Sequence, residues 1–130
     1  MIKTKSVVLL STHIVNEYVI QKYRKLNSDL NKKYDIILLL NLDEGCEWNV
    51  PDDISCFITN NENINKLGYE PIQDTLLPGS CHFPVLRFFL DNPEYHHYWF
   101  IEYDVEFTGK WDVLMNDCDT NLDGYDFLSC

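Results

Sequence analysis

Two short, largely apolar runs separated by one amphipathic segment constrain the fold of this chain most. The first run is Val-Val-Leu-Leu at residues 7–10, and the second is Tyr-Asp-Ile-Ile-Leu-Leu-Leu at residues 34–40. Continuous apolar runs of this length are typical of strands that are buried on both faces. Apolar residues between them recur at three- and four-residue spacing, which predicts a helix. We therefore expect a strand–helix–strand unit with a parallel, right-handed crossover.

Polar residues flank the predicted helix on both sides. Ser11 and Thr12 follow the first strand and can cap the helix N-terminus, and the apolar pattern ends near Asn31. The apolar positions of the helix are Ile14, Val15, Tyr18, Val19, Tyr23, Leu26 and Leu30. The lysines that lie between these positions are expected to face solvent.

Further strands and helices are predicted downstream. The pattern predicts strands at residues 54–59, 97–105 and 125–129, and helices at 61–67, 81–90 and 110–116. This alternation predicts one α/β domain over residues 1–130, with a mostly parallel sheet flanked by helices. Because such a sheet seldom ends on a bare strand, we expect the chain to be truncated at its C-terminus or to be part of a longer protein.

The charge distribution limits the partners of the chain. The net charge is −11, and residues 91–130 hold ten acids against the single base Lys110. An acidic segment of this kind repels a phosphate backbone, which argues against nucleic acid as a direct partner. It does not exclude a nucleotide that binds through a metal ion.

Cysteine usage and apolar run lengths indicate where the chain resides. Five cysteines without C-x-x-C spacing predict free thiols in a reducing compartment. The apolar run near the N-terminus has only four residues, which is too short for a signal peptide. No apolar run approaches the ~18 residues that a membrane span needs. We therefore expect a cytoplasmic protein without a membrane span.

An apolar, aromatic stretch that ends in two acids is the most informative chemical feature. Glu102 and Asp104 are spaced i and i+2 at the end of the strand predicted at residues 97–105. Side chains alternate faces in a strand, so both carboxylates are expected to point the same way. Open α/β sheets bind ligands beyond the carboxyl ends of their strands, and carboxylate oxygens suit Mg²⁺ or Mn²⁺. The alternative is a pair of solvated acids at a strand end.

Residues 97–111, with the sequence HYWFIEYDVEFTGKW, resemble the metal-binding segment of GT-A-type glycosyltransferase-like proteins, the nucleotide-diphospho-sugar transferases. In those proteins an aromatic and apolar strand leads to a D-x-D-type motif, here E-Y-D. An aromatic residue, a threonine or serine, and a glycine then precede a short helix. The likeness is strongest over residues 79–111, and the upstream order of elements is similar. The resemblance implies a Rossmann-like sheet, the nucleotide-binding half of a GT-A domain.

The resemblance also implies roles for individual residues. Asp104, assisted by Glu102, would hold a Mn²⁺ or Mg²⁺ ion that bridges the diphosphate of a nucleoside diphosphate sugar. Ser11 and Thr12 would lie near the nucleoside, and Asp43 is a weaker candidate. The implied reaction is transfer of a sugar to an acceptor that the sequence does not identify. The resemblance assigns no catalytic residue.

Activity would require the acceptor-binding half into which such domains continue. The alternative is a truncated, non-catalytic module of the same fold that binds only a nucleotide or a partner. A sheet edge left unfinished near the C-terminus would also favour a homo-oligomer.

Arg87 and Trp111 are two further residues that the sequence singles out. Arg87 is the only arginine after residue 24 and lies in an otherwise apolar predicted helix. It can contact a phosphate or pair with a neighbouring acid, and the ion pair is the preferred interpretation. Trp111 follows Gly109 and Lys110 at the end of the segment that resembles GT-A-type proteins. It is the tryptophan to test for stacking on a sugar.

Two competing metal motifs are weaker. Residues 119–124, with the sequence DTNLDG, match the opening of a calcium loop, but Cys130 stands where a bidentate glutamate is needed. We therefore prefer an acidic turn. His96 and His97 are adjacent and cannot bind one ion together from a strand. With His13, they are interpreted as hydrogen-bonded structural histidines.

Overall fold

The computed structural model describes residues 6–42, 48–60 and 82–121, in which four parallel strands form one sheet with helices on both faces. The strands are β1 (Ser6–Thr12), β2 (Tyr34–Leu42), β3 (Cys56–Asn60) and β4 (Tyr98–Glu102), and the helices are α1 (Glu17–Leu30), α2 (His82–Asp91) and α3 (Trp111–Asn121). The predicted α/β class with a parallel sheet is confirmed. The helix predicted at 61–67 and the strand predicted at 125–129 lie outside the described residues.

The strand order in the sheet is β3-β2-β1-β4. β1 pairs with β2 from Ser6 opposite Tyr34 onward, and β4 pairs with the other side of β1. After β3 the chain therefore returns past β1, so that the strand order reverses between β1 and β4. In open parallel sheets, ligands bind beyond the carboxyl ends of the strands at such a reversal.

β1 is buried on both of its faces. Val8 and Leu10 point to the cluster formed with α1 and α3, whereas Val7 and Leu9 pack with Phe88 of α2. The four β1 side chains are fully buried. Full burial of one such side chain stabilises the fold by about 1.5–3 kcal/mol. The prediction made from the first apolar run is therefore correct.

The N-terminus of α1 differs from the prediction. Ser11 and Thr12 belong to β1 and do not cap the helix, because the cap is Asn16, whose Oδ1 accepts a hydrogen bond from the Val19 amide at 3.0 Å. The Thr12 hydroxyl is used in the preceding turn. It donates to the Ile14 carbonyl at 2.7 Å and accepts from the Ile14 amide at 3.1 Å.

The strand β4 and the helix α3 end at other residues than predicted. β4 ends at Glu102 because the Val105 amide turns back and donates to the Glu102 carbonyl at 3.1 Å. α3 continues to Asn121 instead of ending at residue 116. The added turn of α3 carries Asp119, which accepts a hydrogen bond from the Tyr34 hydroxyl at the start of β2.

The described residues bear on two expectations, that the cysteines are free thiols and that no helix spans a membrane. Within the described residues Cys56 is a free thiol, and burial raises the pKa of this thiol. Of the helices described, none is both long and apolar enough to cross a membrane.

Candidate functional site

Ser11 and Glu102 meet at the carboxyl edge of the sheet. They are direct register partners at the ends of β1 and β4. Neighbouring strands lie about 4.8 Å apart, and side chains opposite each other share a face. By the alternation along β1 and β4, that face is the one covered by α2. The structure therefore brings two of the predicted site residues together at the strand-order reversal, with Glu102 exposed.

Thr12 lies at the same edge but on the opposite face. Its side chain is 3% exposed, and its hydroxyl exchanges two hydrogen bonds with the backbone of Ile14. Thr12 therefore shapes the turn that follows β1 and does not present its hydroxyl to a ligand.

Asp104 lies in the turn after β4, not in the strand. Side-chain alternation along the strand therefore does not place Glu102 and Asp104 on the same face. Burial lowers the pKa of the Lys22 ammonium, and the charges of Glu106 and Asp104 oppose this shift. This interaction places Asp104 within electrostatic reach of α1, whereas the alternation along β4 directs Glu102 to the α2 side.

Two side chains of α1 hold the segment that carries Asp104. Tyr18 donates a hydrogen bond to Glu106, and Lys22 donates to the carbonyl of Val105. The hydrogen bond to Glu106 is also the main reason that the pKa of Tyr18 is raised. Sequence reasoning missed these contacts because they join residues that are more than 80 positions apart, which no local pattern reports.

His13 and Tyr103 form an aromatic pair beside these residues. Their ring centroids are 5.4 Å apart with an interplanar angle of 74°, an edge-to-face arrangement. Tyr103 is held by its amide, which donates to the Ser11 carbonyl at 2.9 Å. The imidazole of His13 is exposed and makes no hydrogen bond to any residue within the described ranges. This environment differs from the structural, hydrogen-bonded role expected for His13.

Arg87 does not contribute to this edge. The Arg87 guanidinium pairs with the Asp91 carboxylate four residues later, with Nη2 and Oδ1 2.8 Å apart. The preferred ion-pair interpretation is confirmed. Tyr98, the first residue of β4, donates to the Asn92 carbonyl, so α2 ends at the amino edge of the sheet. Asp43 lies outside the described residues.

Trp111 is a core residue. It is 4% exposed, and its ring is tilted against that of Phe107 with centroids 5.3 Å apart. A Cβ atom added at Gly109 would lie 3.0 Å from two ring carbons of Phe107. The Phe-Thr-Gly step thus has a packing function, and Trp111 is not placed to stack on a sugar.

The start of the calcium-like motif is helical. Asp119, Thr120 and Asn121 belong to α3, and the remainder of the motif lies outside the described residues. Asp119 accepts from the Tyr34 hydroxyl and lies 3.3 Å from the Lys33 ammonium. A calcium loop needs this carboxylate as a ligand in a non-helical backbone, so the geometry disfavours calcium.

The donor set at the carboxyl edge suits one kind of metal site. Over the described ranges, no three or more His, Cys, Asp or Glu side chains cluster so as to hold a metal ion. The described residues therefore do not form a metal site made of protein ligands alone. Mg²⁺ commonly binds through one or two carboxylates together with substrate phosphates and water. Because Asp104 lies in the turn near α1 and Glu102 faces the α2 side, the fit at the Ser11–Glu102 pair is to an ion held by one carboxylate and shared with a diphosphate.

A groove of about 570 Å³ lies away from the predicted site residues, at the amino edge. Its walls come from the C-terminal end of α1, the turn after it and the length of α3, and include Asp29, Lys32, Lys33, Asp112 and Asp117. Charges of both signs line it, and Lys33 is paired with Asp119. The groove thus offers no single ligand chemistry.

Comparison with known proteins adds no family. The chain matches no protein-family model, and neither curated proteins nor solved structures gave a significant match. The GT-A resemblance of residues 97–111 therefore stays a prediction.

Proposed function

We propose that the carboxyl edge between β1 and β4 binds the diphosphate of a nucleoside diphosphate sugar through Mg²⁺ or Mn²⁺. The observation that supports this proposal best is the strand order, which places Ser11 beside Glu102 where the order reverses. A reversal of this kind is where open α/β sheets bind nucleotides. Asp104 follows within two residues, on a turn held by α1.

Electrostatics explain why a cation belongs in this proposal. The chain has a net charge of −11, and Glu102, Asp104 and Glu106 follow one another closely at this edge. A diphosphate approaching these carboxylates without a counter-ion would be repelled. Glu102 would hold the ion together with the diphosphate oxygens, Asp104 would add negative charge from the neighbouring turn, and Ser11 would offer its hydroxyl to the ligand. When bound, the ion screens the diphosphate and stabilises it as a leaving group.

The proposed reaction is transfer of the sugar to an acceptor. The described residues supply a donor-binding edge, and no base is assigned to the acceptor. The second candidate is a non-catalytic module that binds the nucleotide without turnover. It is favoured by the exposure of Glu102 and Asp104, because an open edge does not exclude water from the reacting centre as transfer requires.

The binding experiment is calorimetric titration of the chain with UDP, with and without Mn²⁺. The wild type is expected to bind UDP only when Mn²⁺ is present. Glu102→Gln removes the charge of the proposed ligand without changing side-chain size and should weaken binding by about tenfold or more, and Asp104→Asn removes a neighbouring charge and should weaken binding less. Asp112→Asn, which removes an exposed acid from α3, is the matched control and should bind normally.

The result that contradicts the proposal is UDP binding that does not depend on Mn²⁺, or equal affinities in all four proteins. A panel of UDP-sugars then separates the two candidates. Release of UDP from one of them, dependent on Mn²⁺, supports the transferase. Mn²⁺-dependent binding without any release supports the non-catalytic module.

A further inference from the structure

The helix α2 is apolar on two faces, one that packs on the sheet and one that stays exposed. Phe88 points to the sheet: it is 3% exposed, and its ring packs edge-to-face on Phe57 of β3 with centroids 5.1 Å apart. Phe89 and Leu90 follow it in the sequence and remain 42% and 53% exposed. Because residues three and four apart share a helix face, Leu86 lies beside them. Leu86, Phe89 and Leu90 therefore form an outward-facing apolar surface, which we call the α2 stripe.

The packing of α2 fixes the direction in which the α2 stripe faces. The Phe88 ring lies 6.2 Å from the ring of Tyr95 and 6.3 Å from that of Tyr98, centroid to centroid. The helix cannot turn about its axis without breaking these contacts. On the outer side, the Phe89 ring meets Tyr98 edge-to-face with centroids 5.3 Å apart. An apolar surface held in this way loses little conformational freedom when a partner covers it.

The charges beside the α2 stripe sum to zero, in a chain whose net charge is −11. Residues 82–91 carry one base, Arg87, and one acid, Asp91. Their side chains pair with each other and are 32% and 40% exposed, so both lie at the protein surface. Two copies of a strongly acidic chain repel each other over most of their surfaces. A neutral, apolar face is therefore the place where two copies can approach.

The order of the two charges suits a second copy of the chain in particular. Arg87 precedes Phe89 by two residues, and Asp91 follows Phe89 by two. Most contacts between identical chains are two-fold symmetric, and a two-fold axis at Phe89 sets the two helices antiparallel. Arg87 of each copy then lies level with Asp91 of the other copy. The same residues that surround the apolar stripe are thus complementary to themselves in charge.

We infer that the α2 stripe binds a second copy of this chain, with the two α2 helices antiparallel and opposite charges facing each other across the contact. The inference does not depend on the proposed binding of a nucleotide. Because one helix face makes a small contact, we expect a dissociation constant of about 10–100 µM.

Sedimentation equilibrium of the wild type and two variants tests the surface. The wild type should form a dimer, and Leu90→Glu, which places a charge in the stripe, should weaken it by about tenfold or more. Val113→Glu is the matched control, because Val113 is 63% exposed on α3, and should dimerise like the wild type. A wild type that stays monomeric up to about 1 mM overturns the inference and leaves the stripe to a different protein or to another segment of this chain. Equal dissociation constants in Leu90→Glu and the wild type overturn it as well.

The variants Arg87→Asp and Asp91→Arg test the antiparallel arrangement. Each variant alone brings like charges together across the contact and should dimerise about tenfold more weakly than the wild type. In an equimolar mixture, opposite charges face each other again, so a heterodimer should form about as tightly as the wild-type dimer. Neither variant keeps the ion pair within its own helix, so recovery in the mixture reports a contact between chains. A mixture that stays as weak as its components overturns the inference.

Discussion

The two edges of the sheet treat their polar side chains differently. At the amino edge, hydroxyls and charges pair with one another: Tyr34 donates to Asp119, and Tyr95 donates to Asp35 at 2.7 Å. At the carboxyl edge, the side chains of Ser11, His13 and Glu102 make no hydrogen bond to another residue of the described ranges. The amino edge therefore contributes to holding the fold together, and the carboxyl edge leaves polar groups available to a ligand.

This difference also explains why the groove at the amino edge does not attract a functional assignment. Its volume of about 570 Å³ would hold a small ligand. The Lys33 ammonium in it is already paired with Asp119, and the Tyr34 hydroxyl on its wall is used by the same carboxylate. A groove whose polar groups are already paired is weaker evidence for a ligand site than polar side chains at an open edge that have no partner within the described ranges.

The largest expected effect tests the structural role of the amino edge. Tyr34 is 3% exposed, packs in the core cluster formed with α1 and α3, and donates to Asp119. Tyr34→Ala should lower the free energy of unfolding by about 3–5 kcal/mol, as aromatic truncations in a core do. Urea denaturation followed by circular dichroism measures this change. A loss below about 1 kcal/mol would contradict the assignment of this edge to stability.

The next effect is a pH dependence that belongs to Tyr34. Burial, and then the hydrogen bond to Asp119, raise the pKa of Tyr34 above its ordinary value of 10.0. The folded state therefore holds this proton more tightly than the unfolded state. The associated stability is present below pH 10 and is lost as the pH rises above it.

Tyr34→Phe isolates this contribution. Removing the hydroxyl should lower the free energy of unfolding at pH 8 by about 1 kcal/mol. The difference between the two proteins should then shrink between pH 10 and pH 11, because the wild type alone loses the contribution of this proton. A gap that stays constant over this range would show that Tyr34 does not titrate as described.

A smaller effect is expected from a carboxyl-edge contact in which, as at the amino edge, two polar side chains pair with each other. Thr59 is fully buried and donates to Asn41 Oδ1 at 3.0 Å. Thr59→Val keeps the shape but leaves the Asn41 oxygen without this donor, so it should destabilise the fold by about 1–2 kcal/mol. Thermal denaturation measures the loss. The affinity for UDP with Mn²⁺ should stay within about twofold of the wild type.

The smallest expected effects belong to the available side chains of the carboxyl edge. Ser11→Ala and Glu102→Gln should each change the free energy of unfolding by less than about 0.5 kcal/mol, since neither side chain has a partner within the described ranges. The same denaturation experiments measure this. A loss above 1 kcal/mol in either variant would show that the two edges do not differ as described.

Sequence patterns predicted the elements whose burial is simple. The apolar runs predicted β1 and β2 because a strand buried on both faces needs apolar residues at every position. The pattern failed where local hydrogen bonds compete. Asn16 and Thr12 are both good helix caps, and only the turn made by Thr12 with Ile14 leaves Asn16 as the cap.

Part of the candidate site was predicted from the sequence. Ser11 and Glu102 could be placed at one edge because parallel strands end together. The position of Asp104 could not be predicted, since a backbone turn and the side chains of Tyr18 and Lys22 decide it. The contact of His13 with Tyr103 could not be predicted either, because it exists only when β1 and β4 are neighbours.

The sequence by itself determined an α/β chain with buried parallel strands and an acidic segment beyond the last described strand, because apolar periodicity and charge are properties of adjacent residues. Only the tertiary structure decided that β4 lies beside β1, which side chains remain available there, and which polar groups at the opposite edge are paired. The physical reason is that the crossover after β3 brings together strands almost ninety residues apart, and hydrogen bonds across such distances leave no periodic signal in the sequence.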